Sequence, residues 1–213
     1  DLISIFAITV KQSYLWAGEP SVLVKEVILN EYSFSDIENI HERRTKQWEE
    51  ISPSLDFEMI SKRVMGEHWE KCIYEQKCGF VELFTNYLKS TYLKKPNPIF
   101  GKKIISIKEK QYNGFAKVQT ILLSNSGKEI STDFYLMQEN GEWKICDLAV
   151  EGVSLVNNYR SQILSTLIRG SYEGLLETMK EKQVNALPLL VSEQSERRGE
   201  KQKKQKEGKT DKR

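Results

Sequence analysis

Few residues in this chain could do chemistry, and they are widely spread. The candidates are two histidines (His41, His68), three cysteines (Cys72, Cys78, Cys146) and two acids in β-rich stretches, Asp133 and Asp147. Both histidines lie among charged residues in helical stretches and read as solvated. His68, Cys72 and Cys78 are close in sequence, but their spacing matches no metal-ligand pattern and a fourth ligand is missing. They read as packing residues. An odd number of cysteines cannot all pair within one chain. Cys72 and Cys78 could meet across a turn, although spacing alone does not establish a disulfide. No glycine-rich phosphate loop and no Gly-x-Ser-x-Gly elbow is present. What remains is a carboxylate. Asp133 or Asp147, buried in a cavity, would have a raised pKa and could act as a base. The plainer reading is a strand acid facing outward or paired across a hairpin, since nothing else completes a mechanism. These residues imply no enzyme, no cofactor and no metal.

The elements that position these residues follow from periodicity. Ser35-x-x-Glu38 matches a capping box, and Ile37, Ile40, Arg44, Trp48 and Ile51 keep a helical period up to Pro53. Asp56 is a candidate N-cap for a short helix carrying Phe57, Ile60, Val64 and Met65, stopped at Gly66. Phe80, Phe84, Tyr87, Leu88, Thr91 and Tyr92 form one apolar stripe on a longer helix, ended by Lys94, Lys95 and Pro96. The period then changes to two. Four β-rich runs are separated by Asn113-Gly114, by a Ser-Asn-Ser-Gly segment at 124–127 and by Asn140-Gly141. Asn-Gly between alternating residues is a strong hairpin signal, so the strands should form an antiparallel meander. Ser154 can cap a helix carrying Leu155, Val156, Tyr159 and Ile163, with Gly170 beyond it, and Ser171 can start another. The expected fold class is α+β: N-terminal helices, a curved four-stranded antiparallel meander, and C-terminal helices. Helices closing a curved sheet leave a cone whose interior is either packed core or an apolar pocket. The aromatic residues Phe80, Phe84, Tyr87, Tyr92, Phe134, Tyr135 and Trp143 suit both.

The 213 residues suffice for one domain with a substantial core. The formal charge of +2 excludes a dedicated nucleic-acid binder, and no apolar run reaches the ~18 residues of a transmembrane helix. The expected organisation is a signal or targeting remnant at 1–19, one α+β domain at 20–187 and a disordered basic tail at 188–213. The first segment contains the apolar run LISIFAITV followed by Ala17-Gly18. The tail, from residue 193 on, holds nine Lys/Arg against five Asp/Glu and no aromatic residue, too little apolar surface to offset its ordering entropy. Such a tail is solvated, or weakly attracted to an anionic membrane.

Two stretches are more specific. One runs Asp147-Leu-Ala-Val-Glu-Gly-Val-Ser-Leu-Val-Asn-Asn-Tyr-Arg-Ser-Gln162, after Gly141-Glu-Trp-Lys144. The other runs Phe57-Glu-Met-Ile-Ser-Lys-Arg-Val-Met-Gly-Glu-His-Trp69, followed by Phe80-Val-Glu-Leu-Phe-Thr-Asn-Tyr-Leu88 and Thr91-Tyr-Leu93. In these motifs and their order around a β meander, residues 20–183 resemble the MlaC family, also called the toluene-tolerance auxiliary family.

The resemblance implies a nuclear-transport-factor-like cone with extra helices, holding phospholipid acyl chains in an apolar cavity. It also implies a periplasmic carrier that moves lipid between an outer-membrane lipoprotein complex and an inner-membrane ABC transporter complex with its substrate-binding domain, in a pathway serving outer-membrane lipid asymmetry. Alternatives are a hopanoid-linked carrier of the same family, or a cone-fold enzyme using a buried carboxylate. Resemblance and periodicity together nominate Phe57, Ile60, Val64, Phe80, Phe84, Tyr87, Leu88, Tyr92, Phe134, Leu136, Val153, Leu155, Val156 and Tyr159 as cavity lining. Arg63 and Arg160 are nominated as head-group contacts, with structural ion pairs as the plainer reading of both.

Overall fold

A computed structural model describes residues 19–29, 34, 36–94, 102–124 and 126–185. The signal-like run, the basic tail, Ser35 and the Lys95-Pro96 stop lie outside these residues. Helix α1 spans Pro20–Leu29, α2 Ile40–Ile51, α3 Phe57–Met65 and α4 Tyr74–Lys94; strands β1 Lys103–Tyr112, β2 Phe115–Leu123, β3 Glu129–Glu139, β4 Glu142–Val150 and β5 Val153–Ser154 follow, then α5 Leu155–Arg169 and α6 Tyr172–Asn185. The strands form one antiparallel sheet in sequence order. The α+β class is therefore observed, with a fifth strand added to the expected meander.

Local chemistry explains most boundaries. Asp56 accepts a hydrogen bond from the Met59 amide at 2.8 Å and caps α3. Ser154 accepts from the Asn157 amide and caps α5. The Ser-x-x-Glu signal at 35–38 is corrected: α2 begins at Ile40, where Asn39 accepts from the His41 and Glu42 amides, and Ile37 lies ahead of the helix. An Asn side chain one residue before the helix satisfies two orphan donors at once. Both Asn-Gly pairs turn with positive φ, at 44° and 76° for residues 113–114 and at 50° and 85° for 140–141.

The fifth strand arises from a third turn of this kind, made by Glu151 and Gly152 at φ 51° and 77°. Glutamate rarely adopts this conformation. Here it is held on both sides. The Glu151 amide donates to the Ser131 carbonyl, and its carboxylate accepts from the Ser131 amide at 2.7 Å. That support comes from β3, twenty residues away, which is why local turn chemistry does not announce it.

The core has two lobes. In the first, the alternating face of β2 and β3 (Val118, Leu122, Phe134, Leu136) meets Val24 and Ile28 of α1 and Trp48 and Ile51 of α2. In the second, Val64, Phe80, Phe84, Tyr87, Val156, Tyr159, Leu175 and Met179 join α3, α4, α5 and α6. Leu55 and Leu88 touch both lobes. The helical period of α4 thus serves two purposes: its Phe80–Tyr87 stretch belongs to the helical lobe, and Leu88 and Tyr92 pack on the sheet lobe.

Candidate functional site

Strand alternation leaves the opposite face of the sheet to a different set of side chains. Register pairs Lys110 with Lys117, Lys117 with Tyr135, and Phe115 with Met137, so these residues share that face near the hairpin ends. Helix α3 brings Met59 and Arg63 alongside. Between them lies a groove of about 570 Å³, lined by Met59, Arg63, Lys110, Tyr112, Phe115, Ala116, Lys117, Tyr135, Leu136, Met137 and Cys146. Its wall is mainly aromatic and thioether, with three cations and no carboxylate. Tyr112 and Phe115, at 75% and 54% exposure, stand at the rim.

A β-bulge shapes one side of the groove. Tyr135 pairs with Asp147 and Leu136 with Ile145, so Cys146 is an extra residue in β4. Arg63 Nη1 donates to the Cys146 carbonyl at 3.3 Å and to its Sγ at 3.4 Å, while Nη2 lies 3.7 Å from Asp147 Oδ2. The Cys146 thiol donates in turn to the Tyr135 carbonyl. Burial pushes this thiol above its usual pKa, against the opposing pull of Arg63. Cys146 is therefore a neutral packing group and not a nucleophile. Cys72 and Cys78 are both free thiols, and no metal-ligating cluster occurs among the described residues.

Both candidate bases have partners within the fold. Asp147 Oδ1 accepts from the Leu148 and Val156 amides at 2.7 and 3.1 Å, and Oδ2 accepts from the Ser154 hydroxyl at 2.7 Å. Asp133 is paired with Lys117 at 2.9 Å and accepts from Gln119. Neither lines the groove.

The nominated residues divide clearly. Arg63 lines the groove, and Leu136 borders it while its buried side chain belongs to the sheet lobe. Phe134 belongs to the sheet lobe, with Phe57, Leu88 and Tyr92 packed against it; the Trp48 ring meets those of Phe57 and Tyr92 at a tilt, 5.9 and 5.5 Å between centres. Ile60, Val64, Phe80, Phe84, Tyr87, Val156 and Tyr159 form the helical lobe, with Leu155 beside them. Tyr159 meets Phe84 edge-on at 5.3 Å, and burial raises the pKa of its hydroxyl. Among the described residues, a cleft of about 20 Å³ lies among Phe84, Tyr87, Tyr159 and their neighbours, room for about one water. Val153 lies half-buried in β5. Arg160 sits beneath Gly66, where a Cβ would fall 2.4 Å from its Nη2. The groove residues that sequence reading did not nominate are Met59, Lys110, Tyr112, Phe115, Ala116, Lys117, Tyr135, Met137 and Cys146. Period-two alternation places Tyr135 and Met137 opposite Phe134 and Leu136, but it does not say which face stays open.

A family model described as MlaC protein matches residues 26–181. The chain belongs to the MlaC family. Its fold is similar to that of a phospholipid-binding protein from Ralstonia solanacearum, solved in complex with a phospholipid. The TM-score is 0.69 at 17% identity, with 79% of this chain and 98% of that chain covered. At that identity the likeness is one of fold. No curated protein matches the chain.

In this MlaC-family chain the Glu-Gly-Val-Ser-Leu-Val-Asn-Asn-Tyr-Arg motif at 151–160 has a legible structural role. Glu151 and Gly152 make the turn, Val153 and Ser154 make β5, and Ser154 caps α5. Tyr159 fills the helical lobe, and Arg160 occupies the space left by Gly66. The motif locks α5 to β4 and α3. Through Asp147 it also faces Arg63 at the groove wall.

Proposed function

We propose that this protein is a phospholipid carrier and not an enzyme, with the lipid's apolar part held in the groove between α3 and the open face of the sheet. The observation that carries this reading is the groove itself: about 570 Å³ of largely apolar space in a chain of the MlaC family. The bound phospholipid in the similarly folded Ralstonia protein supports it.

The energetics suit a carrier. Each methylene moved from water to an apolar surface contributes about 0.8 kcal/mol, so one long acyl chain represents on the order of 10 kcal/mol. A lipid crosses water only when a protein supplies an equivalent environment, and no covalent step is needed. Taking a methylene as roughly 30 Å³, close to the share of one water, the groove holds about one chain. A second chain would lie along the rim aromatics Tyr112 and Phe115 or widen the gap between α3 and the sheet. The side chains of the two packed lobes keep the fold that frames the groove. The occupied carboxylates Asp133 and Asp147 favour the carrier over a cone-fold enzyme.

Within this proposal the protein works in the periplasm, receiving lipid from an outer-membrane lipoprotein complex and exchanging it with an inner-membrane ABC transporter complex and its substrate-binding domain. No helix among the described residues is long and apolar enough to cross a membrane.

The test is native purification followed by organic extraction and mass spectrometry, together with reloading from phospholipid vesicles. Near-stoichiometric phospholipid is expected, and its loss in Met137→Asp, which places a charge in the groove. A hopanoid would keep the carrier and change the pathway. A folded protein that neither retains nor takes up lipid would refute the proposal.

A further inference from the structure

The charge of the groove carries an inference that rests on the phospholipid reading and specifies the head group. Arg63, Lys110 and Lys117 line the groove, and no acidic residue does. Lys110 and Lys117 are direct cross-strand partners in the β1–β2 ladder. Like charges in this position repel and cost stability; Asp133, 2.9 Å from Lys117, offsets the repulsion on that side, and nothing does so on the Lys110 side. Lys108, opposite Gln119, adds another cation to the same face.

The acids facing this cluster are already committed. Asp133 is paired with Lys117 at 2.9 Å and takes a further hydrogen bond from Gln119. Asp147 has both oxygens occupied by Ser154 and by backbone amides, and it reaches Arg63 only at 3.7 Å. No ion pair or hydrogen bond engages the Lys110 side chain among the described residues. Arg63 is fixed by the carbonyl and sulfur of Cys146, yet its side chain is still 40% exposed. Asp133 thus answers Lys117 and Asp147 lies near Arg63, and the apolar trough carries at its wall one cation, Lys110, whose charge no described group neutralises. A phosphodiester anion answers that charge. A zwitterionic head group would bring its own ammonium against Lys110 and Lys117.

We propose that the groove selects phospholipids with a net negative head group, of the phosphatidylglycerol type, over zwitterionic ones, with Lys110 as the main specificity-determining residue and the paired Lys117 and Arg63 beside it.

The experiment uses the full chain, stripped of lipid and incubated with vesicles of equimolar phosphatidylglycerol and phosphatidylethanolamine. The protein is re-isolated and its lipid identified by mass spectrometry. Mixed vesicles matter, because attraction of the protein to an anionic bilayer raises access to both lipids equally, whereas selection in the groove changes their ratio. An enrichment of phosphatidylglycerol of roughly fivefold to tenfold is expected at low salt. It should fall toward parity at about 1 M salt, where the Debye length shrinks to about 3 Å. Lys110→Gln removes a cation that holds nothing else in the fold and should at least halve the enrichment. Lys110→Gln with Lys117→Gln should abolish it. Equal uptake of both lipids at low salt by the unaltered protein would overturn the head-group inference and leave the carrier standing. Uptake of neither lipid by folded protein would overturn the carrier reading and this inference with it.

Discussion

Truncating Asp147 should be among the most damaging single changes in this fold, and the reason is the backbone of α5 more than the charge of Arg63. Its side chain is 4% exposed and accepts three hydrogen bonds, from the Leu148 amide, the Val156 amide and the Ser154 hydroxyl. Hydrogen bonds to an ionised acceptor contribute about 1.5–3 kcal/mol each, but bonds sharing one acceptor do not add independently. Removing the acceptor leaves three donors, buried or half-buried, without it, each at a cost of about 1–3 kcal/mol and less than fully additive. The Arg63 pair accounts for little of this, since it is long and its guanidinium is partly solvated, which limits it to at most about 1 kcal/mol. Asp147→Ala is therefore expected to cost about 3–5 kcal/mol, from the orphaned donors. Asp147→Asn retains an acceptor for the amides and should cost about 1–3 kcal/mol. Ser154→Ala loses the Asn157 cap as well as its bond to Asp147, about 1–2 kcal/mol. Arg63→Met should cost no more than about 1 kcal/mol. Urea unfolding with linear extrapolation measures the series, with an unchanged slope as the sign that compactness is preserved. Hydrogen exchange at the Val156 amide locates the effect. An Asp147→Ala cost below about 1 kcal/mol, or an Arg63→Met cost equal to it, would refute the reasoning.

Three further outcomes are expected. Gly66 has φ 57° and ψ −130°, a region open essentially to glycine, so Gly66→Ala should lose about 1–3 kcal/mol in the same unfolding assay. Because that strain lies in the backbone, adding Arg160→Ala should recover less than half of it. The Thr132 hydroxyl is buried with no hydrogen-bond partner among the described residues, so Thr132→Val should be between neutral and about 1 kcal/mol more stable; a clear loss would reveal a hidden partner. Burial pushes the Glu109 carboxyl up, but hydrogen bonds from Gln111 and the Ser21 amide outweigh it and leave its pKa below the usual 4.5. A carboxyl depressed in the folded state stabilises it above the unfolded pKa and stops doing so as pH falls through the folded value. The tie between α1 and β1 should therefore be intact above about pH 4.5 and loosen below it. Exchange at Ser21 should follow that titration, and Glu109→Gln should remove the pH dependence.

The elements were legible where the physics is local. The Asp56 and Ser154 caps, the two Asn-Gly turns and the stripe on α4 each depend on residues within a few positions, and each is found as read. The α2 start was misread because two capping signals compete within five residues, and Asn39 holds the helix that forms. The family was legible too, because the motif at 151–160 combines a turn, a cap, a core aromatic and a seated arginine in one short run.

By itself, then, the sequence determined the class of fold, the order of its elements and the family. Among the described residues, tertiary structure decided where the groove lies. An apolar stripe has the same pattern whether it closes on a neighbour or lines a cavity, and here α4 closes on α5 and α6. The groove instead joins Met59 and Arg63 to side chains from β1, β2 and β3 some fifty to eighty positions away. Its cation pair exists only because the β1–β2 register sets Lys110 against Lys117. Its Arg63 wall depends on a bulge that adds Cys146 to β4. Register and bulges are fixed by pairing between distant segments, and that information is in no single stretch of chain.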